Sequence, residues 1–315
     1  MNQKYKNIIA VILAVWIFAM GIAVGKDIGT EASLANGTQQ TEAPVVGEKP
    51  AKPSFGGNNG GTTDNGTNNG TNNGGTTDNG TNNGGTVDNN NQPAPADPSQ
   101  YTDEQIVQMM NYYVNLVKAE PNMNATKSET IKVTVTDCSV PSLVGTINGI
   151  VEGLIGGESE TFNYSFANNY VTSTNDPEAS TSNTPFSLIP PTNKEFKVSM
   201  EGIADASATV DANGNVTYTV ILVPENTTLS SPEPFYNATA IGYLNLAGLD
   251  IAPAKISQAD MHYPGSTVSV TVDSNDRVIK LYNKLPMTGD GKASLGLSGE
   301  ASFEGALDET WEFTY

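Results

Sequence analysis

The chain has one cysteine, Cys138, one histidine, His262, and one arginine, Arg277, among 315 residues. A single cysteine excludes an intramolecular disulfide framework, which an exported chain of this size does not need. It also leaves one way to assemble a cysteine–histidine nucleophilic site, from Cys138 and His262 together. A lone arginine argues against recognition of carboxylate or phosphate by an arginine cluster. Positive charge is scarce in general, with 15 Lys and Arg against 34 Asp and Glu and a net charge of −19. That balance argues against nucleic acid and anionic headgroups as partners, because both require a basic patch.

Long apolar runs are also missing, apart from one. Ile8 to Gly25 is an uncharged, mostly apolar stretch, preceded by Lys4 and Lys6 and closed by Lys26 and Asp27. It lies near the lower length limit for one helical crossing of a bilayer. The charges before it, with an acidic remainder behind it, orient residues 1–29 as an anchor with the N-terminus cytoplasmic and the bulk extracytoplasmic. A secretory signal cleaved near Gly21, Ala23 or Gly25 is the alternative, and the protein would then be secreted. Both readings export the rest. Gly21 and Gly25 have the spacing that lets two spans approach closely, although small residues are common in such helices.

Bulky apolar residues thin out over 30–100, where GGTTDNGTNN occurs at Gly60–Asn69 and again at Gly74–Asn83. A Gly/Asn/Thr-rich segment of this kind buries too little surface to offset its ordering entropy, so it is expected to be a disordered linker. As a flexible coil of about 70 residues it would reach roughly 45 Å root-mean-square. The Asp and Gly content invites a calcium-binding β-helix reading, but no apolar residue recurs to pack inside such a coil.

Residues 101–315 are expected to form one extracytoplasmic α+β domain. Thr102 and Gln105 have capping-box spacing, and Ile106, Met109, Met110, Tyr113, Leu116 and Val117 recur at three and four, which predicts an amphipathic helix ending before Pro121. A second helix is expected from the cap and first-turn residues Ser139 and Pro141 through Leu143, Ile147, Ile150 and Leu154, stopping at Gly156-Gly157. Gly145, Gly149 and Gly153 form a smooth stripe along it. That stripe suits either close packing on a sheet or a mobile lid over an apolar groove, for which Leu143, Ile147, Ile150 and Leu154 are the candidate lining residues.

Elsewhere apolar residues alternate with polar ones, as in Ile131, Val133 and Val135, in Val216, Tyr218, Val220 and Leu222, and in Val268, Val270 and Val272. The C-terminal stretch does the same through Leu307, Trp311, Phe313 and Tyr315, with Glu309 interrupting the apolar face. Asn213-Gly214 and Ser274-Asn275-Asp276 carry hairpin chemistry. One wet face and one apolar face imply a curved antiparallel β-meander with the two helices packed on one face, after a single transmembrane helix and the linker. Such an architecture resembles, at the level of fold alone, the curved-sheet carriers that bacteria use for lipids and lipoproteins.

Motifs that would carry chemistry fail on context. Leu285-Pro286-Met287-Thr288-Gly289 matches a sortase signal but lacks a following apolar span and basic tail, and reads instead as a strand end entering a turn. Asp211 to Asn215 has a calcium-loop look, with its glycine misplaced and Leu222 where a bidentate glutamate belongs. Gly296-Leu297-Ser298-Gly299 is followed by Glu300 and misses the nucleophile elbow. No cofactor or metal is expected. Cys138 closes an alternating strand, where a buried structural thiol is the ordinary outcome. The expected function is therefore a membrane-tethered, non-enzymatic extracytoplasmic module, bound to the membrane through Ile8–Gly25 and binding an amphipathic small molecule or an envelope component. The alternatives are a structural or adhesive surface domain and a cell-wall cysteine hydrolase using Cys138 and His262.

Overall fold

The computed structural model describes residues 49–54, 97–139, 141–155, 159–232, 255–295 and 297–315. The expected anchor at 1–29 and nearly all of the expected linker lie outside them. Among the described residues, no helix is long and apolar enough to cross a membrane.

Helix α1 (Asp103–Lys118) starts as its sequence dictates. The Thr102 hydroxyl accepts from the Gln105 amide at 3.3 Å, and the Gln105 side chain accepts from the Thr102 amide at 2.9 Å, so two otherwise orphaned donors are satisfied. Asp103 and Glu104 in the first turn and Lys118 in the last complement the helix dipole. Ile106, Met109, Met110, Tyr113, Val114 and Val117 are buried against the sheet. The polar flank is also occupied. Asn111 donates to the Val198 carbonyl at 3.0 Å and accepts from the Val198 amide at 2.9 Å. One turn later Asn115 does the same with Phe196, at 2.8 and 2.9 Å. Two amides at i and i+4 thus clamp an extended segment to the helix as a neighbouring strand would. At the C-terminal end, the buried Lys118 ammonium donates to the carbonyls of Ile189 (2.5 Å) and Pro191 (2.8 Å), just past the single helical turn Pro185–Leu188. Burial pulls its pKa down to about 7, while the carbonyl acceptors favour the charged form.

The strands are β1 (Met123–Cys138), β2 (Glu160–Ala167), β3 (Tyr170–Thr174), β4 (Ile203–Val210), β5 (Val216–Leu222), β6 (Glu225–Thr228), β7 (Lys255–Tyr263), β8 (Thr267–Val272), β9 (Val278–Leu295) and β10 (Leu297–Thr314). They form one sheet in the order β3-β2-β1-β10-β9-β8-β5-β4, with β7 pairing β9 and β6 pairing β7. Each of these pairings is antiparallel. The molecule is a sheet-dominated α+β protein. It departs from the expected meander because β1 pairs with β10 and β5 with β8, so strands far apart in the chain are neighbours. Local alternation favours pairing but does not choose the partner.

Strand β9 also forks the sheet. Its first part, Val278 to Lys284, pairs with β8, and its later part, Thr288 to Ser294, pairs with β7. Pro286 falls at this changeover, where the ladder on one side is already broken and a residue without an amide hydrogen costs least. The LPMTG stretch is therefore the middle of a long strand, not its end. Leu285 and Met287 are buried, and a Cβ on Gly289 would lie 2.5 Å from the Phe303 ring, so that position has no room for a side chain. The expected hairpin turns are present. Gly214 has φ +81°, and the Asp211 carboxylate accepts from the Asn215 side chain and from the backbone amides of Asn215 and Asn213, which holds its pKa below the ordinary value and gives it the part of a turn residue.

The edge helix spans Val144–Ile155 and is preceded by a 3₁₀ turn at Pro141–Leu143. Ser139 does not cap it; the Ser139 amide donates to the Glu300 carbonyl at 2.9 Å and its hydroxyl accepts from the Glu300 amide at 2.6 Å, extending β1 instead. Strand β2 pairs with β1 only from Met123 to Glu129, and the edge helix packs on β1. Its Asn148 accepts from the Val135 amide at 2.7 Å and donates to the Val135 carbonyl at 2.9 Å. The expected close approach along the glycine stripe is not made at Gly145 or Gly149, where an added Cβ would meet nothing within 4 Å.

Replacing Asn148 by Ala leaves both backbone groups of Val135 without this partner, and urea unfolding should show a loss of about 1–3 kcal/mol. Gly145→Ala and Gly149→Ala should act in the opposite direction, adding up to about 1 kcal/mol each through helix propensity.

Candidate functional site

Alternation along β1 and β10 sends three charged residues, Lys127, Glu129 and Glu309, to the buried face beside Trp311. The register sets Lys127 opposite Trp311 and Glu129 opposite Glu309. All four are buried, at 9, 6, 5 and 1% exposure. Lys127 forms ion pairs with Glu129 and, at 3.3 Å, with Glu309. Its ammonium lies 5.8 Å from the Trp311 ring centroid, and the indole Nε1 donates to Glu309 Oε1 at 2.6 Å. Tyr164 of β2 stacks on Trp311 at 5.4 Å and donates its hydroxyl to Asp176 at 2.5 Å.

Burial alone would discharge Lys127. The carboxylates of Glu309 and Glu129 outweigh it and hold the lysine pKa above its ordinary 10.5. Burial, followed by the Asp176 hydrogen bond, likewise raises the Tyr164 pKa, so its hydroxyl stays a donor. Asn283 of β9 stands opposite Glu309 on the far side of β10, which puts their Cβ atoms about 5 Å apart. Asn283 is 3% exposed, and both polar atoms of its side chain lack a hydrogen-bond partner, as do the hydroxyls of Ser266 and Thr227. Ser266 lies two residues before Val268, the β8 partner of Asn283, and is equally buried. A polar row thus crosses an otherwise apolar face, with donors and acceptors unused at one end.

The residues expected from sequence fall elsewhere. Ile147 is buried beneath the edge helix with Val151; Leu143, Ile150 and Leu154 belong to the same helical stretch, and their side chains lie outside the described ones. Cys138 is buried at the end of β1. It pairs with Ala301 of β10, which pairs with Gly291 of β9, which pairs with Ala259 of β7. His262 is further along β7, exposed, with Nδ1 2.7 Å from the Asn226 side chain. Three strand spacings, about 14 Å, separate Cys138 from β7 before that offset is added, so the register does not bring the pair together. Among the described residues no group of three or more His, Cys, Asp or Glu is placed to hold a metal ion. The charge cluster was legible only in part: Glu309 breaks an apolar face, and Lys127 and Glu129 continue the inward parity of Ile131, Val133 and Val135.

No family model, curated protein or solved structure matches the chain. The cluster is thus read from its chemistry alone. Lys127→Met would strand two buried carboxylates, and thermal or urea unfolding at neutral pH should show a loss of about 3–5 kcal/mol. Because the folded-state pKa of Lys127 is raised, its stabilising contribution is full below the unfolded value of 10.5 and declines only above it.

Proposed function

We propose that this chain is a membrane-tethered extracytoplasmic binding module whose sheet interior receives an amphipathic molecule. The apolar part of the ligand lies along the buried face, and its polar end meets the row formed by Glu309, Asn283 and Ser266. The observation that carries this reading is the set of buried polar atoms on Asn283 and Ser266 with no partner. Buried groups of that kind are ordinarily hydrogen-bonded, and an unmet donor and acceptor on one side chain suit a head group that supplies both. Export rests on the Ile8–Gly25 stretch with Lys4 and Lys6 before it. A cysteine–histidine hydrolase would require Cys138 and His262 within hydrogen-bond reach, and their positions three strands apart favour binding over hydrolysis.

A structural or adhesive surface domain is the second reading, favoured by the buried core, which forms one continuous cluster from α1 to the β9–β10 hairpin. Organic extraction of the purified full-length protein followed by mass spectrometry separates the two. The binding reading expects a stoichiometric amphipathic molecule, with several-fold lower retention in Asn283→Leu. The structural reading expects an empty extract and a variant more stable than the parent by about 1–3 kcal/mol, because an unmet polar group has been removed from the interior.

A further inference from the structure

Residues 49–54 belong by composition to the linker, yet they lie against the domain. Lys49 pairs with Glu120 at 3.1 Å and Lys52 with Asp276 at 2.7 Å. The Lys52 ammonium is also 5.9 Å from the Tyr113 ring centroid. The sequence here is Lys-Pro-Ala-Lys-Pro-Ser. Prolines fix φ at Pro50 and Pro53, and each pushes the residue before it into the extended region, so four of the six positions favour a polyproline II conformation. That helix repeats every three residues and places Pro50 and Pro53 on one face. In the structure these two are half-buried while Lys49, Ala51, Lys52 and Ser54 are exposed.

The receiving surface is aromatic and acidic. Tyr113 stacks on Tyr218 at 5.7 Å, Tyr218 on Tyr101 at 6.4 Å, and Tyr112 meets Tyr113 edge-on at 4.9 Å. The Tyr113 hydroxyl donates to Asp276 at 2.9 Å, which aims the carboxylate at Lys52. Burial of Asp276 opposes its ionisation, but the hydrogen bonds from Lys52 and Tyr113 outweigh it and hold the carboxyl below its ordinary 3.8. Asp276 is itself held at the tip of a turn with φ +60°. Four tyrosines therefore converge beside Asp276, while Glu120 receives Lys49 at the other end of the segment.

We propose that this tyrosine patch, with Asp276 and Glu120, is a binding site for lysine-bearing proline-rich segments, and that its ligand is the chain's own Lys49–Ser54. Aromatic grooves take such segments because a polyproline II ligand loses little entropy on docking and its prolines fit between flat rings. Each exposed ion pair contributes little alone. Attachment in the same chain supplies an effective concentration in the millimolar range, so a weak site suffices. Docking also shortens the spacer. Taken with the membrane span and flexible linker proposed from the sequence, the stretch between anchor and docked segment would fall from about 70 residues to about 19, and its root-mean-square reach from roughly 45 Å to roughly 24 Å.

The test uses the full-length chain in detergent with spin labels at Ala51→Cys and Asn275→Cys, in a Cys138→Ser background, and reads the distance distribution by pulsed electron resonance. Docking predicts one narrow, short component at low salt. Lys52→Glu, which alters only the linker and cannot unfold the domain, should broaden it, as should Asp276→Asn and 1 M salt. Millimolar synthetic peptide of sequence Lys49–Ser54 should displace the segment in a saturable way. A broad distribution in the parent chain at low salt would overturn the proposal. So would a short distance that neither substitution, salt nor peptide changes, since the segment would then be held by something other than this site.

Discussion

Backbone amides removed from water must find partners, and the whole domain is arranged around that constraint. The long β9–β10 hairpin meets it directly, each strand serving as the other's ladder and offering its second edge to β1 on one side and to β8 and then β7 on the other. Where strands run out, asparagines take over. Asn111 and Asn115 present amide groups to Val198 and Phe196, and Asn148 does so for Val135. A side-chain amide has the same donor and acceptor as a peptide, so a helix can close a sheet edge or bind an extended segment without supplying a strand.

The same alternation that satisfies the backbone places charge where it is costly. Once β1 and β10 are in register, Lys127, Glu129 and Glu309 have no route to the solvent face, because a slip by one residue would expose every apolar neighbour. Their mutual pairing, with the indole of Trp311 as a further donor, is the local solution. Asn283 and Ser266 extend the polar row without a partner of their own. In the proposed binding reading, these unmet amide and hydroxyl groups are where the polar end of a ligand would be received.

How far the sequence was legible differed from element to element. Helix α1 was readable to the cap, since Thr102 and Gln105 act within one turn. The alternating strands and the Asn213-Gly214 turn were equally local. The edge helix was recognised, but its cap was misassigned: Ser139 serves β1 through Glu300, a residue near the other end of the chain. The glycine stripe suggested contact where Gly145 and Gly149 have open space. The candidate site was least legible: Glu309 interrupts an apolar face and Lys127 shares the inward parity of its strand, but that they meet, and that Asn283 stands beside them, shows only when the strands are set side by side.

By itself the sequence determined strand period, the Thr102–Gln105 cap, the turns and the compositional contrast between an apolar N-terminal stretch, a core-poor tract and a β-rich body, since each of these depends on neighbours a few residues apart. Only the tertiary structure decided that β1 lies beside β10, that Lys127 meets Glu309, and that Lys52 meets Asp276. Those contacts join segments remote in the chain, and antiparallel strands select partners by the fit of whole faces and not by any pattern written within one strand.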